Sequence, residues 1–151
     1  MTKAPLPTGH FGADDVEIGD WVDCGSTVVS AEQIIRFADL TGDRFEIHMS
    51  DPNAQKHGFD RQVAHGLLVL SLVDGLKNQA PAQFKARASK GWTWTFRAPV
   101  LAGDTVHVKL TVTEKGKAFL PDQATLHLEF DVTNQDGVVV QQGRNALLAY
   151  R

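Results

Sequence analysis

The chain has 151 residues, with 15 Lys and Arg against 18 Asp and Glu, a formal net charge of -3 and a pI near 6.0. That length suits one domain, residues 1–151, with a core of its own, and the charge balance offers no basic footprint for nucleic acid. The single Cys24 excludes an intrachain disulfide and any multi-cysteine metal centre, and points to a reducing, cytoplasmic setting.

The opening "MTKAPLPTGH" has no apolar run of the signal-peptide kind, and residues 1–12 read as a loose tail. "VDCGSTVV" is a candidate strand. Ser30 followed by Gln33 fits a capping box, in which the hydroxyl and the side-chain amide satisfy each other's free backbone N–H groups. A helix should therefore start there, with Ile34, Phe37 and Ala38 on one face and Gly42 as the left-handed stop just before Asp43.

From Asp43 to Gln62 the chain is polar and broken by the turn signals "SDPN" and "HGFD", which predicts a long loop with a helical turn near Ala54 to His57. Loops this long inside a domain are uncommon and often functional. Next comes "VAHGLLVLSLVDGLKNQ", whose apolar residues go most of the way round a helical wheel, so a central helix surrounded by protein is expected. Its most apolar stretch, Val63 to Leu76, is interrupted by His65, Ser71 and Asp74 and is too short to cross a bilayer, so no membrane partner is expected.

After Ser89 the pattern changes to period two. "WTWTFRAP", "VHVKLTVT", "LHLEFDVT" and "VVVQQGRNALLAY" read as four successive strands of an antiparallel meander, with Trp92, Trp94 and Phe96 sharing one face as core residues. A long apolar helix and a curved antiparallel sheet cover each other most economically when the sheet wraps the helix, an α+β arrangement.

Three places carry possible chemistry. Asp43 after "TG" fits turn chemistry as well as catalysis, since Asp side chains bond nearby backbone N–H groups. His48 lies close enough along a non-helical segment for both side chains to reach one water, either as an acid–base pair or as a structural hydrogen bond. Gly66, if it lies in the first turn of the central helix, presents a free N–H with the helix dipole behind it, suited to an oxyanion; tight helix–sheet packing is the alternative. The neighbouring His65 reads as a core or capping histidine more readily than as a catalyst, and the other histidines show no metal-ligand spacing, so no metal is expected.

Together, "FADLTGDRFEIHMSDPNA", "VAHGLLVLSLVDGL" and "FRAPVLAGDTVHV" resemble the MaoC-like dehydratases, which include the (R)-specific enoyl-CoA hydratases and have the hotdog fold. The resemblance implies a hydratase or dehydratase that adds water reversibly to a 2-enoyl-CoA. Asp43 and His48 would hold the water, and the Gly66 N–H would receive the thioester oxygen. It implies no cofactor beyond the coenzyme A of the substrate, and a homodimer or an assembly of dimers. His65, Phe45 and Phe59 are the candidates for further substrate contact.

The chain departs from the family in two places. Phe45 and Glu46 stand where many members have Asn-Pro, and Glu46 is expected to raise the pKa of the pair by repulsion. Asp74 stands where some members have a helical serine. Two other readings remain: a thioesterase using Asp43 alone, and a non-catalytic domain that binds acyl groups or assembles with a partner.

Overall fold

The computed structural model describes residues 2–151. In chain order the elements are β1 (Gly9–Phe11), β2 (Trp21–Val28), α1 (Ala31–Thr41), α2 (Asp51–Gln55), α3 (Gly66–Gln79), β3 (Ala82–Phe84), β4 (Ala86–Phe96), β5 (Thr105–Lys117), β6 (Gln123–Thr133) and β7 (Val139–Tyr150). Tight 3-10 turns occupy Ala13–Asp15 and Glu46–His48.

The capping box forms as the sequence requires: Gln33 N–H donates to Ser30 Oγ at 3.1 Å, and Ser30 N–H donates to Gln33 Oε1 at 2.9 Å. At the other end Gly42 takes φ 81°, which costs a side-chain-bearing residue energy, and its N–H donates to Ala38 O. Asp43 therefore leaves a rigid, well-capped helix.

The five-stranded antiparallel sheet has the order β2-β5-β6-β7-β4. This corrects the four-strand meander. β5, β6 and β7 do follow one another, but β4 pairs with β7 at the far edge and not with β5. The reason lies in residues 97–104, which cross to the far side of the sheet and touch the loop through a Val63–Leu101 bridge instead of closing a hairpin. β4 also begins at Ala86, before the alternating pattern starts, because an edge strand exposed along most of its length tolerates "ARASKG".

The core lies on one face of this sheet. Val106, Val108, Leu110, Val112, Leu126, Leu128, Phe130 and Val132 are all fully buried there, beneath Leu68, Val69 and Val73 of α3. Trp92 and Trp94 pack with Phe130 at ring-centroid distances of 5.3 and 5.9 Å, as the core reading required, but Phe96 at the strand end is 55 % exposed and is not a core residue. The helix is not enclosed, however: Leu67 is 60 % exposed, and Ser71 and Asn78 are also exposed. One five-stranded sheet covers only one side of a helix, and the residues at three- and four-residue spacing on the opposite side stay bare.

The tail is also different from expectation. Leu6 N–H donates to Trp21 O, β1 pairs in parallel with β3, and Leu6 and Phe11 pack on the core, so the described part of residues 1–12 is held down; Met1 lies outside the described residues. The loop from Asp43 to Gln62 contains the Glu46–His48 turn and α2, which Ser50 caps through Asn53 N–H at 3.2 Å; the helical piece thus begins before the Ala54 expected.

Candidate active site

The loop after α1 folds back over the N-terminal end of α3. Asp43 follows the left-handed Gly42, where its N–H donates to Thr41 Oγ1 and its Oδ1 accepts from Phe45 N–H at 3.3 Å. The turn reading of Asp43 is therefore correct as far as it goes. The carboxylate nevertheless remains exposed and lines a cavity.

His48 ends the 3-10 turn and is only 8 % exposed. Its Nδ1 lies 2.7 Å from the Val63 carbonyl oxygen, and a carbonyl only accepts, so Nδ1 carries the hydrogen. In the neutral ring Nε2 then keeps its lone pair. Burial lowers the pKa of His48 below its ordinary 6.5, with the neighbouring His65 adding to the fall, while the Val63 carbonyl and the Asp43 carboxylate oppose it.

His65 is the N-cap residue of α3 and is 2 % exposed. Its Nε2–H donates to the backbone oxygen of Asp43 at 2.9 Å, and its ring stacks on that of His48 at 3.9 Å and 24°. Because α3 begins at Gly66, the N–H groups of Gly66, Leu67 and Leu68 have no intrahelical acceptor, and the helix dipole is positive there. Glycine at this place has a steric cause: a Cβ on Gly66 would collide with the ring of Phe96. The close-packing reading of Gly66 thus holds, and its N–H lies in the first turn of α3, where the oxyanion reading requires it.

One cavity of about 550 Å³ joins these groups. Asp43, His48, His65 and Gly66 form its polar end, while Ile47, Phe59, Val63, Phe96, Pro99 and Val100 are among its apolar walls. The volume lies within the range of small-molecule sites. Phe59 is in the wall, whereas Phe45 is not: it is 55 % exposed, with its ring 5.9 Å from those of His48 and His57.

Glu46 does not act on the pair as expected. Its carboxylate accepts from His57 Nε2 at 2.9 Å and lies 3.8 Å from Lys56, and these partners, His57 first, lower its own pKa. Asp74 is likewise engaged elsewhere, 2.8 Å from the buried Lys77.

The residue the sequence reading missed is Gln141 on β7, which is 2 % exposed and lines the cavity. Its Oε1 accepts from Trp94 Nε1 at 2.8 Å, and its Nε2 donates to Gly66 O at 3.0 Å. The available signal was a polar residue in an inward register position of a strand.

Donor atoms of Asp43, His48 and His65 lie within 4.8 Å of one another, a cluster that spacing along the chain did not reveal. Its geometry suits proton transfer better than metal ligation. The ring lone pairs lie in nearly parallel, stacked planes and so do not converge on a point about 2.0–2.1 Å from both nitrogens.

A sheet curved about a helix, with a loop overhanging the helix start, is the hotdog fold. The chain superposes on a Mycobacterium tuberculosis protein described as having a double hotdog fold with a TM-score of 0.81 and 17% identity, over 96% of this chain and 46% of that one. The MaoC like domain model matches residues 16–133, and the chain belongs to that family. Its relatives include a 3-hydroxybutyryl-CoA dehydratase of Methylorubrum extorquens, 32% identical over 128 residues, 84% of this chain and 77% of that one. An (R)-specific enoyl-CoA hydratase of Aeromonas caviae is 29% identical over 135 residues, 88% of this chain and 95% of that one.

Proposed function

We propose that the chain catalyses the reversible addition of water to a 2-enoyl-CoA, giving a 3-hydroxyacyl-CoA, as a carbon–oxygen lyase. One observation carries this reading: an Asp43 oxygen and a His48 ring nitrogen lie within 4.8 Å of each other at the polar end of an apolar cavity that reaches Gly66. The names of the two relatives support the same reaction class.

In this reading a water donates one hydrogen to the Asp43 carboxylate and the other to the His48 Nε2 lone pair, at roughly 2.6–3.2 Å from each. Its oxygen lone pair is then directed at the β carbon. The neutral ring and the carboxylate hold no spare proton. The proton that leaves the water is therefore the one delivered to the α carbon, and water is added without any other donor. Negative charge that builds on the thioester oxygen is met by the Gly66 N–H and the start of α3. Coenzyme A enters as part of the substrate, and the chemistry calls for no other cofactor or metal. The acyl chain occupies the apolar walls.

The same reading includes a homodimer, or an assembly of dimers. The bare face of α3 with Leu67 60 % exposed, Phe96 at 55 %, and the free edge of β4 support it. A second copy would cover both. A cytoplasmic location suits the lone Cys24, which is buried and whose thiol pKa burial pushes up to about 12.

A panel of 2-enoyl-CoA and 3-hydroxyacyl-CoA thioesters, followed by absorbance and chiral analysis, tests the activity. Loss of enoyl absorbance without thiol release is the expected result. Thiol release with the enoyl absorbance intact would instead identify a thioesterase.

A further inference from the structure

His65 is the least exposed titratable side chain among the described residues, and the hydration chemistry makes no direct use of it. It nevertheless touches both members of the pair. Its Nε2–H holds the Asp43 carbonyl at 2.9 Å, and its ring lies 3.9 Å from the ring of His48. Phe37 of α1 closes on His65 edge-on at 4.9 Å and 60°, which fixes the ring from another side. As the N-cap of α3, His65 also immediately precedes the Gly66 amide.

These contacts add to the few side-chain bonds that each partner makes elsewhere. The Asp43 carboxylate is exposed, and among the described residues its one hydrogen-bond partner is the Phe45 N–H at 3.3 Å. His48 is pinned at one ring edge by Val63 O, which fixes Nδ1, and the stacked His65 ring covers its face at 3.9 Å.

The other nitrogen of His65 indicates why an imidazole stands here. Among the described residues Nδ1 is buried with no hydrogen-bond partner, and the side chain makes no capping bond to α3. A residue needed only to donate to Asp43 would be served by a smaller hydroxyl or an amide, and neither offers a flat ring to His48. The flat ring is the additional requirement.

We propose that His65 is a positioning residue that sets Asp43, His48 and the Gly66 amide in register, through one hydrogen bond and one stacked ring face. Its kinetic consequence rests on the hydration reading; its effect on the His48 ring does not.

Three variants separate the parts: His65→Gln keeps a donor and loses the face, His65→Phe keeps the face and loses the donor, and His65→Ala loses both. With enoyl-CoA substrate, kcat falls by about 10²-fold in His65→Ala, the scale of an ångström-sized misplacement. It falls less in the other two, while KM changes little because the apolar walls remain.

Imidazole nitrogen NMR of His48 gives a readout that needs no turnover. The titratable groups facing this ring are the Asp43 carboxylate and His65, since Glu46 is turned to His57 and Lys56. In the wild type, His48 shows the Nδ1–H tautomer and titrates below 6.5; His65→Ala and His65→Gln move its titration up, and His65→Phe leaves it low. A His48 titration unchanged in His65→Ala would overturn the proposal. So would a loss of rate that lies wholly in KM, or one equal in all three variants and matched by loss of thermal stability. A wild type inactive on every thioester would defeat the hydration reading alone, leaving the NMR result to decide the role of His65.

Discussion

The side-chain amide of Gln141 donates to the backbone oxygen of Gly66 at 3.0 Å, tying the first residue of α3 to a strand 75 positions later in the chain. Trp94 holds the other end of that amide at 2.8 Å. The amide proposed to receive the thioester oxygen therefore sits on a peptide fixed by the sheet.

Replacing Gln141 with Leu leaves the Trp94 N–H and the Gly66 carbonyl without their partner. Thermal or urea unfolding should report a loss of about 1–3 kcal/mol. Because Gly66 loses its anchor, kcat should fall as well. Unchanged stability would mean that water replaces the amide at no cost.

Asp43→Asn and His48→Gln each remove one proton-transfer group while preserving size. Turnover on an enoyl-CoA should drop by about 10²–10⁴-fold, with circular dichroism and melting temperature little changed for the exposed Asp43. Wild-type rates in either variant would count against the pair.

Gly66→Ala drives a methyl group into the Phe96 ring. Phe96 is 55 % exposed and can swing away, so the fold should survive while kcat falls. The double variant Gly66→Ala with Phe96→Ala relieves the collision. Recovery of rate in the double variant would assign the defect to the ring, and continued loss would assign it to obstruction of the amide.

His48 has a pKa lowered mainly by burial, so its neutral form is the one the fold favours. Its contribution to stability is fully present above the ordinary 6.5 and is lost as the pH falls through the lower folded value. Unfolding free energy measured from pH 7 downward should decline in that window, and His48→Gln should remove this component. The acid limb of kcat/KM for hydration should likewise fall below 6.5, because the ring must be unprotonated to accept from water.

Sedimentation at micromolar concentration tests assembly, with a dimer or a multiple of it expected. A monomer under those conditions would remove the support that the bare face of α3 gives to the proposed function.

The parts of this fold that were legible in the sequence are those decided within a few residues. The Ser30–Gln33 box, the Gly42 stop and the alternation along β5 and β6 each state their own local geometry. The position of β4 was not legible, because which strand it joins is decided by the path of residues 97–104 across the sheet and not by any pattern within β4. β1 was missed for another reason: three residues are too few to show a period. At the site, Asp43, His48 and Gly66 could be picked out by residue type and spacing. Gln141 shows itself only as a polar residue at an inward strand position, and its role depends on Trp94 and Gly66 meeting it from separate elements.

The segment that leaves β4 becomes part of the cavity: Phe96 ends the strand, and Arg97, Ala98, Pro99 and Val100 line the space beside His48. The outermost strand of the sheet and the rim of the reaction chamber are thus one uninterrupted piece of backbone. A chain that docked along that outer edge would lie one peptide bond away from the rim, so docking there and entry to the cavity would share a single mechanical element.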